Sequence, residues 1–178
     1  MNFRHEDYKV KYYKYASALG TKLNRILEIE RLSFPEGHWN EEDFKRVIDY
    51  QDNYLLTVGS DDIYGFLILN SKPFLDIWNL AVHPEFRRRG LGSILINCLI
   101  ENSRGRKIQA KVREKNLNAQ KFFRAQKFRG SLLKGDETYD YPDEYEETYI
   151  FEWLPENYQQ KNNLILPSTK NRIKQYFS

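Results

Sequence analysis

The stretch "HPEFRRRGLGS", residues 83–93, sets three consecutive arginines against two glycines. It follows the apolar run "FLDIWNLAV" (74–82) and runs directly into a second one, "SILINCLIEN" (93–102). The first run is strand-like and the second has helical spacing, so the glycines mark a strand-to-helix turn. The first turn of a helix leaves backbone N–H groups without partners, and with the positive end of the helix dipole they make a seat for anionic oxygen. Gly90 and Gly92 remove side chains that would hold a phosphate off the backbone, and Arg87, Arg88 and Arg89 add guanidinium forks at the same rim. The competing reading is a basic surface turn whose glycines serve shape alone. The spacing Arg-x-x-Gly-x-Gly is neither the lysine-bearing phosphate loop nor the dinucleotide-binding G-x-G-x-x-G.

Outward from this turn the elements alternate. "YKVKYYKYA" (8–16) is strand-like, and "KLNRILEIERL" (22–32) has the apolar spacing of a helix. Asn40 followed by Asp43 offers a helix start for "EEDFKRVIDY". "YLLTVG" and "IYGFLILN" flank "SDD" as a hairpin would. After the helix at 93–102 come a strand at 107–113, a helix at 118–128, and two strand-like runs, "GSLLKG" and "ETYIFEWL". The order β-α-α-β-β-β-α-β-α-β-β predicts one mixed sheet with helices on both faces. A single domain is expected over residues 1–154, followed by a polar, basic tail over 155–178.

Composition narrows the function. The chain's net charge is +3, and the tail alone carries four basic residues against Glu156. The remainder is therefore neutral, which argues against a nucleic-acid partner. Cys98 is the single cysteine, so no internal disulfide is possible, and its apolar run points to core packing. The first residues lack a signal-peptide core and no apolar run reaches roughly 18 residues, so a soluble, cytoplasmic protein without membrane partners is expected. No Cys/His cluster has metal-ligand spacing, so no metal is expected. The oligomeric state, monomer or homodimer, is left open.

Arg87, Gly90 and Gly92, directly after "NLAV-HP", resemble the central Gln/Arg-x-x-Gly-x-Gly/Ala motif of the GNAT superfamily of acetyl-CoA-dependent N-acetyltransferases. Downstream, Val112, Asn116, Ala119 and Phe128 in "VREKNLNAQKFFRAQKF" (112–128) fall on the family's second motif. The resemblance implies a mostly antiparallel sheet of about seven strands, splayed between the fourth and fifth. It also implies that the pantetheine arm of acetyl-CoA pairs with the backbone at Leu80, Ala81 and Val82. The pyrophosphate would rest on the amides of Arg88, Arg89, Gly90, Leu91, Gly92 and Ser93, and Asn116 and Phe123 would lie near the cofactor.

Two further stretches resemble the branch that acetylates protein N-termini, whose bacterial type is the ribosomal-protein alanine acetyltransferases. "SFPEGHWNEEDF" keeps its Phe34, Pro35, Trp39 and Phe44, with "EGH" as an insertion before the tryptophan. Pro35, His38 and Trp39 are thereby candidates for contact with the acceptor. "YDYPDEYEETYIF" echoes its tyrosine-rich hairpin through Tyr139, Tyr141, Pro142 and Tyr149. The usual glutamate base falls on Lys111 and the usual tyrosine acid on Phe123, so both roles need replacements. Asp76 stands where histone-type members carry a catalytic glutamate. The two-residue strand period puts residues 76, 78, 80 and 82 on one face, so Asp76 is expected on the side of Leu80 and Val82. Its alternative is a solvent-exposed aspartate. Tyr139 and Tyr141 are the candidate acids. Seven acids between Asp136 and Glu147 are read as a solvated loop or as an attractor for a cationic acceptor. Three functions stay open: acetylation of a protein or peptide N-terminus, acetylation of a small amine, and acyl-CoA binding with feeble catalysis.

Overall fold

The computed structural model describes residues 8–133 and 147–155. The strands are β1 (Lys9–Tyr13), β2 (Asn53–Gly59), β3 (Ile63–Asn70), β4 (Leu75–Val82), β5 (Ile108–Arg113), β6 (Arg129–Leu132) and β7 (Thr148–Trp153). The helices are α1 (Lys22–Ser33), α2 (Glu41–Asp49), α3 (Leu91–Glu101) and α4 (Leu117–Ala125). Two short 3-10 turns, Ala16–Ala18 and Pro84–Phe86, are additions to the sequence reading.

Local chemistry accounts for the helix starts. Asn40 accepts from the Asp43 N–H while the Asp43 carboxylate accepts from the Asn40 N–H, the reciprocal box that the sequence suggested for α2. At α4, the Asn116 side chain accepts from the Ala119 N–H. Helix α3 begins two residues before its apolar run, because Gly90 takes a left-handed conformation (φ 81°) that turns the chain directly into the helix.

The sheet has seven strands in the order β1-β2-β3-β4-β5-β7-β6. Every neighbouring pair is antiparallel except β4 and β5. That one parallel pair is short: Leu75, Asp76 and Ile77 pair with Ile108, Gln109 and Ala110, and the pairing stops there. Beyond it β4 continues to Val82 and β5 to Arg113, so the sheet forks between them.

Each face has its own core. Leu56, Val58, Leu67 and Leu69 pack with Leu91, Leu95, Phe123 and Phe151 on the α3–α4 side. The alternate residues Leu55, Phe66 and Ile68 pack with Ile26, Ile29, Phe44 and Ile48 on the α1–α2 side. Phe123 is 4% exposed and stacks on Phe151 at 5.8 Å, with Phe128 edge-on at 5.2 Å. Its ring therefore packs within the core on the α3–α4 side, among residues that include Ile77, Ala110 and Val112. Phe123→Ala should cost about 3–5 kcal/mol of stability. The fall in melting temperature, read by calorimetry, should be about 10 °C for a domain of this size.

Candidate functional site

The fork is shaped by a bulge. The β3–β4 register shifts between Ile68, opposite Asn79, and Leu69, opposite Ile77, so Trp78 has no partner across the pair. An extra residue reverses the strand's alternation. Leu75 and Ile77 face the α3–α4 core, as do Leu80 and Val82 beyond the bulge. Asp76 lies opposite Asn70, on the face of Ile68 and Phe66. It is thus on the α1–α2 side, across the sheet from Leu80 and Val82. This corrects the expectation from a strict two-residue period.

The bulge also sets which backbone groups face the gap. Leu75 N–H donates towards β5, to Lys107 O, whereas beyond the bulge His83 N–H donates to Tyr64 O on the opposite side. Alternation from His83 turns the backbone groups of Leu80 and Val82 to the gap and those of Ala81 to β3. The Ala81 side chain is buried against α1 and α2. The gap-facing backbone is therefore that of Leu80 and Val82, where Val82 O accepts from Arg87 Nε at 2.9 Å.

Asp76 is half-buried at the point of the fork. Burial pushes its carboxyl above the ordinary aspartate range, while the Trp78 indole N–H, Lys111, Lys107 and Gln109 pull the other way. The Trp78 Nε1–H donates to Asp76 Oδ2 at 3.1 Å. Lys107 is engaged by Glu152 at 2.9 Å and by Gln109 Oε1 at 3.1 Å.

The arginine-glycine turn opens on the other face. Gly90 caps α3 with no side-chain hydrogen bond, and the first helical bond runs from Ile94 N–H to Gly90 O. Helix geometry therefore leaves the amides of Leu91, Gly92 and Ser93 aimed outward without helical acceptors. Arg88 also adopts a left-handed backbone (φ 62°). These amides fit an anionic group such as a pyrophosphate.

The side chains divide differently from expectation. Arg87 donates from Nε to Val82 O at 2.9 Å and from its guanidinium to Ser33 Oγ at 3.1 Å, so it braces the turn against β4 and α1. Arg89 lies over the Phe86 ring at 5.0 Å. A Cβ on Gly92 would stand 3.1 Å from the Phe122 ring, so its bareness serves the contact between α3 and α4. Asn116 uses its side-chain oxygen to cap α4.

On the Asp76 face, the segment between α1 and α2 carries the candidate acceptor contacts. Pro35 and His38 are exposed, and Trp39 is half-buried, edge-on to Phe44 at 5.9 Å. Glu30 ties this segment to the fork, a role the sequence reading missed. It is 2% exposed, accepts from the Trp39 N–H at 3.1 Å and from Asn79 Nδ2 at 2.9 Å, and burial raises its carboxyl above the usual range. The available signal was its place on the apolar stripe Leu23–Ile26–Glu30. Asn79 Oδ1 is buried with no hydrogen-bond partner among the described residues, two positions past the last β4–β5 pair.

His83 is buried, accepts from the Glu85 N–H at 3.3 Å and meets Phe86 edge-on. Cys98, on α3, has its Sγ 2.8 Å from the hydroxyl of Tyr12 on β1. Tyr139, Tyr141 and the acids Asp136 to Glu146 lie outside the described residues, as does the tail from 156 onward. Among the described residues no helix is long and apolar enough to cross a membrane, and no group of three or more His, Cys, Asp or Glu could hold a metal.

The sequence matches the model of the acetyltransferase (GNAT) family across residues 23–128. No curated protein sequence matches it. Among solved structures, the ribosomal-protein-S18-alanine N-acetyltransferase of Escherichia coli is 20% identical with a TM-score of 0.65, covering 82% of this chain and 94% of that one. Arabidopsis thaliana NAA60 in complex with acetyl-CoA is 21% identical with a TM-score of 0.64, covering 82% and 98%. A diaminobutyrate acetyltransferase of Paenibacillus lautus, bound to its substrate and coenzyme A, is 18% identical with a TM-score of 0.60, covering 83% and 95%. At these identities the likeness is one of fold.

Proposed function

Because the chain belongs to the acetyltransferase (GNAT) family, we propose that it transfers the acetyl group of acetyl-CoA to the N-terminal amine of a protein or peptide, with Asp76 as the base. The carrying observation is the fork itself, where the bulge at Trp78 sets Asp76 on one face and Leu80 and Val82 on the other. Acetyl-CoA supplies the activated acyl group. The amides of Leu91 to Ser93 hold its pyrophosphate, and the gap-facing backbone at Leu80 and Val82 takes its pantetheine arm. The acceptor enters from the α1–α2 side, past Pro35, His38 and Trp39. A donor on the substrate would satisfy Asn79 Oδ1, which the protein leaves unpaired.

An amine arrives protonated and must lose a proton before it attacks, which Asp76 accepts directly or through one water. The leaving thiolate needs a proton that Phe123 cannot give. This role falls to Tyr139 or Tyr141. The segment "SFPEGHW", which resembles that of the branch acetylating protein N-termini and is tied to the fork by Glu30, supports an N-terminal peptide over a small amine. The E. coli and Arabidopsis proteins share the fold, and the first is by name an N-acetyltransferase of a ribosomal-protein alanine.

Release of coenzyme A thiol, measured with acetyl-CoA against N-terminal peptides, polyamines and amino-acid amines, tests this reading. Turnover should be highest with a peptide whose α-amine is free and absent once that amine is blocked. Preference for a polyamine or for diaminobutyrate would move the protein to the small-amine class. No thiol release with any amine would leave an acyl-CoA-binding module.

A further inference from the structure

The strand bulge does more than change faces, because it makes Trp78 a neighbour of Asp76 and leaves it on the surface. Trp78 is 38% exposed and Tyr50, which caps the C-terminal end of α2, is 58% exposed. Core packing therefore does not account for either ring. Their centroids lie 6.1 Å apart with an interplanar angle of 35°, so Tyr50 forms a wall beside the indole. With the indole placed in this way, its N–H reaches back two residues to Asp76 Oδ2 at 3.1 Å.

We infer that Trp78, steadied by Tyr50, is the positioning residue for Asp76, fixing the carboxylate so that it can take the acceptor's proton. The inference rests on the reading of Asp76 as the base. A carboxylate on a short side chain turns freely, and a general base works only with its lone pair held within hydrogen-bond reach of the proton. Trp78 holds it from β4 and Gln109 from β5, the two sides of the fork. The charged groups bearing on it are Lys111 on β5 and Lys107 before it, the latter paired with Glu152 on β7. Opposite it on β3 stands Asn70, which is uncharged and bonded to Asn53 and Gln51. The Tyr50 phenol is the titratable group that α2 contributes through Trp78.

The test replaces Trp78 by its benzothienyl isostere, which keeps the ring volume and lacks only the N–H, and in parallel uses Trp78→Phe. A hydrogen bond to the charged form lowers a carboxyl's pKa, so losing it raises the pKa. In the isostere protein the Asp76 carboxyl, followed by carbon NMR, should titrate about one pH unit higher, the size of one charge-assisted bond. The acid limb of turnover, with acetyl-CoA and an alanine-initiated peptide or spermidine, should move up with it. Turnover on the plateau should fall about tenfold, with acetyl-CoA affinity unchanged. Tyr50→Ala should give a smaller shift of the same sign, and Tyr50→Phe should rescue it. If the Asp76 midpoint and the acid limb both stay put in the isostere protein, the inference is wrong even where Asp76→Asn is inactive. If Asp76→Asn turns over as well as the parent, the base assignment and the inference fall together.

Discussion

Asp76→Asn should lower kcat by about 10²–10⁴-fold, the range typical of a lost general base, while acetyl-CoA affinity stays the same. The amide keeps the size of the side chain and can still accept the Trp78 hydrogen bond, but it takes no proton. The loss should therefore appear in turnover rather than in binding. The parent's rate should fall as pH drops through the raised Asp76 value, because the base works only when ionised, and the variant should lack that limb. Stability separates this from damage to the fold. A carboxyl whose folded value is raised binds its proton more tightly in the folded protein, so stability declines as pH rises from the ordinary aspartate value through the raised one. Asp76→Asn removes that cost at neutral pH. Its melting temperature there should equal or exceed the parent's, and a marked fall would point to a structural role.

Gly90→Val should weaken acetyl-CoA binding by about a hundredfold or more. Gly90 sits at φ 81°, a region a β-branched residue enters only under strain. Relief of that strain would re-aim the amides of Leu91, Gly92 and Ser93. Two charge-assisted hydrogen bonds lost from a phosphate, at about 1.5–3 kcal/mol each, are enough for that factor. The strain itself is on the order of 1–3 kcal/mol, which a domain of ordinary stability tolerates. Titration calorimetry reads the affinity. The rise in melting temperature that acetyl-CoA gives the parent should vanish in the variant, since that rise requires binding to the folded state. Gly92→Ala is a contrasting case, because its added methyl would press on the Phe122 ring. Its first effect should be on the α3–α4 contact.

The elements were legible because their signals are local. Short apolar runs bounded by turn residues marked the central strands, the spacing of Leu23, Ile26 and Ile29 marked α1, and Asn40 with Asp43 marked the start of α2. The motif around Gly90 was legible for the same reason, as strand, turn and helix stand side by side in the chain. The face of Asp76 was not. A bulge is defined by the partner strand, and nothing in "LDIWNLAV" says that Trp78 will lack a partner across from it. The added structural contacts of Arg87 and Gly92 were not legible because long-range partners make them: Val82 O and Ser33 for the first, Phe122 for the second. Glu30 was passed over as a charge on a helix, although its place on an apolar stripe marks a carboxyl that must find partners once buried. It finds them in Trp39 and Asn79.

In the proposed reaction, donor and acceptor are held at once, on opposite faces of one fork, and the acetyl group passes directly between them. Initial rates of thiol release, with acetyl-CoA and the acceptor peptide both varied, test this most directly. The double-reciprocal lines should intersect, because both substrates must be bound before anything leaves. Parallel lines, with an acetylated protein trapped when acetyl-CoA is given alone, would place a covalent step on the enzyme and contradict it.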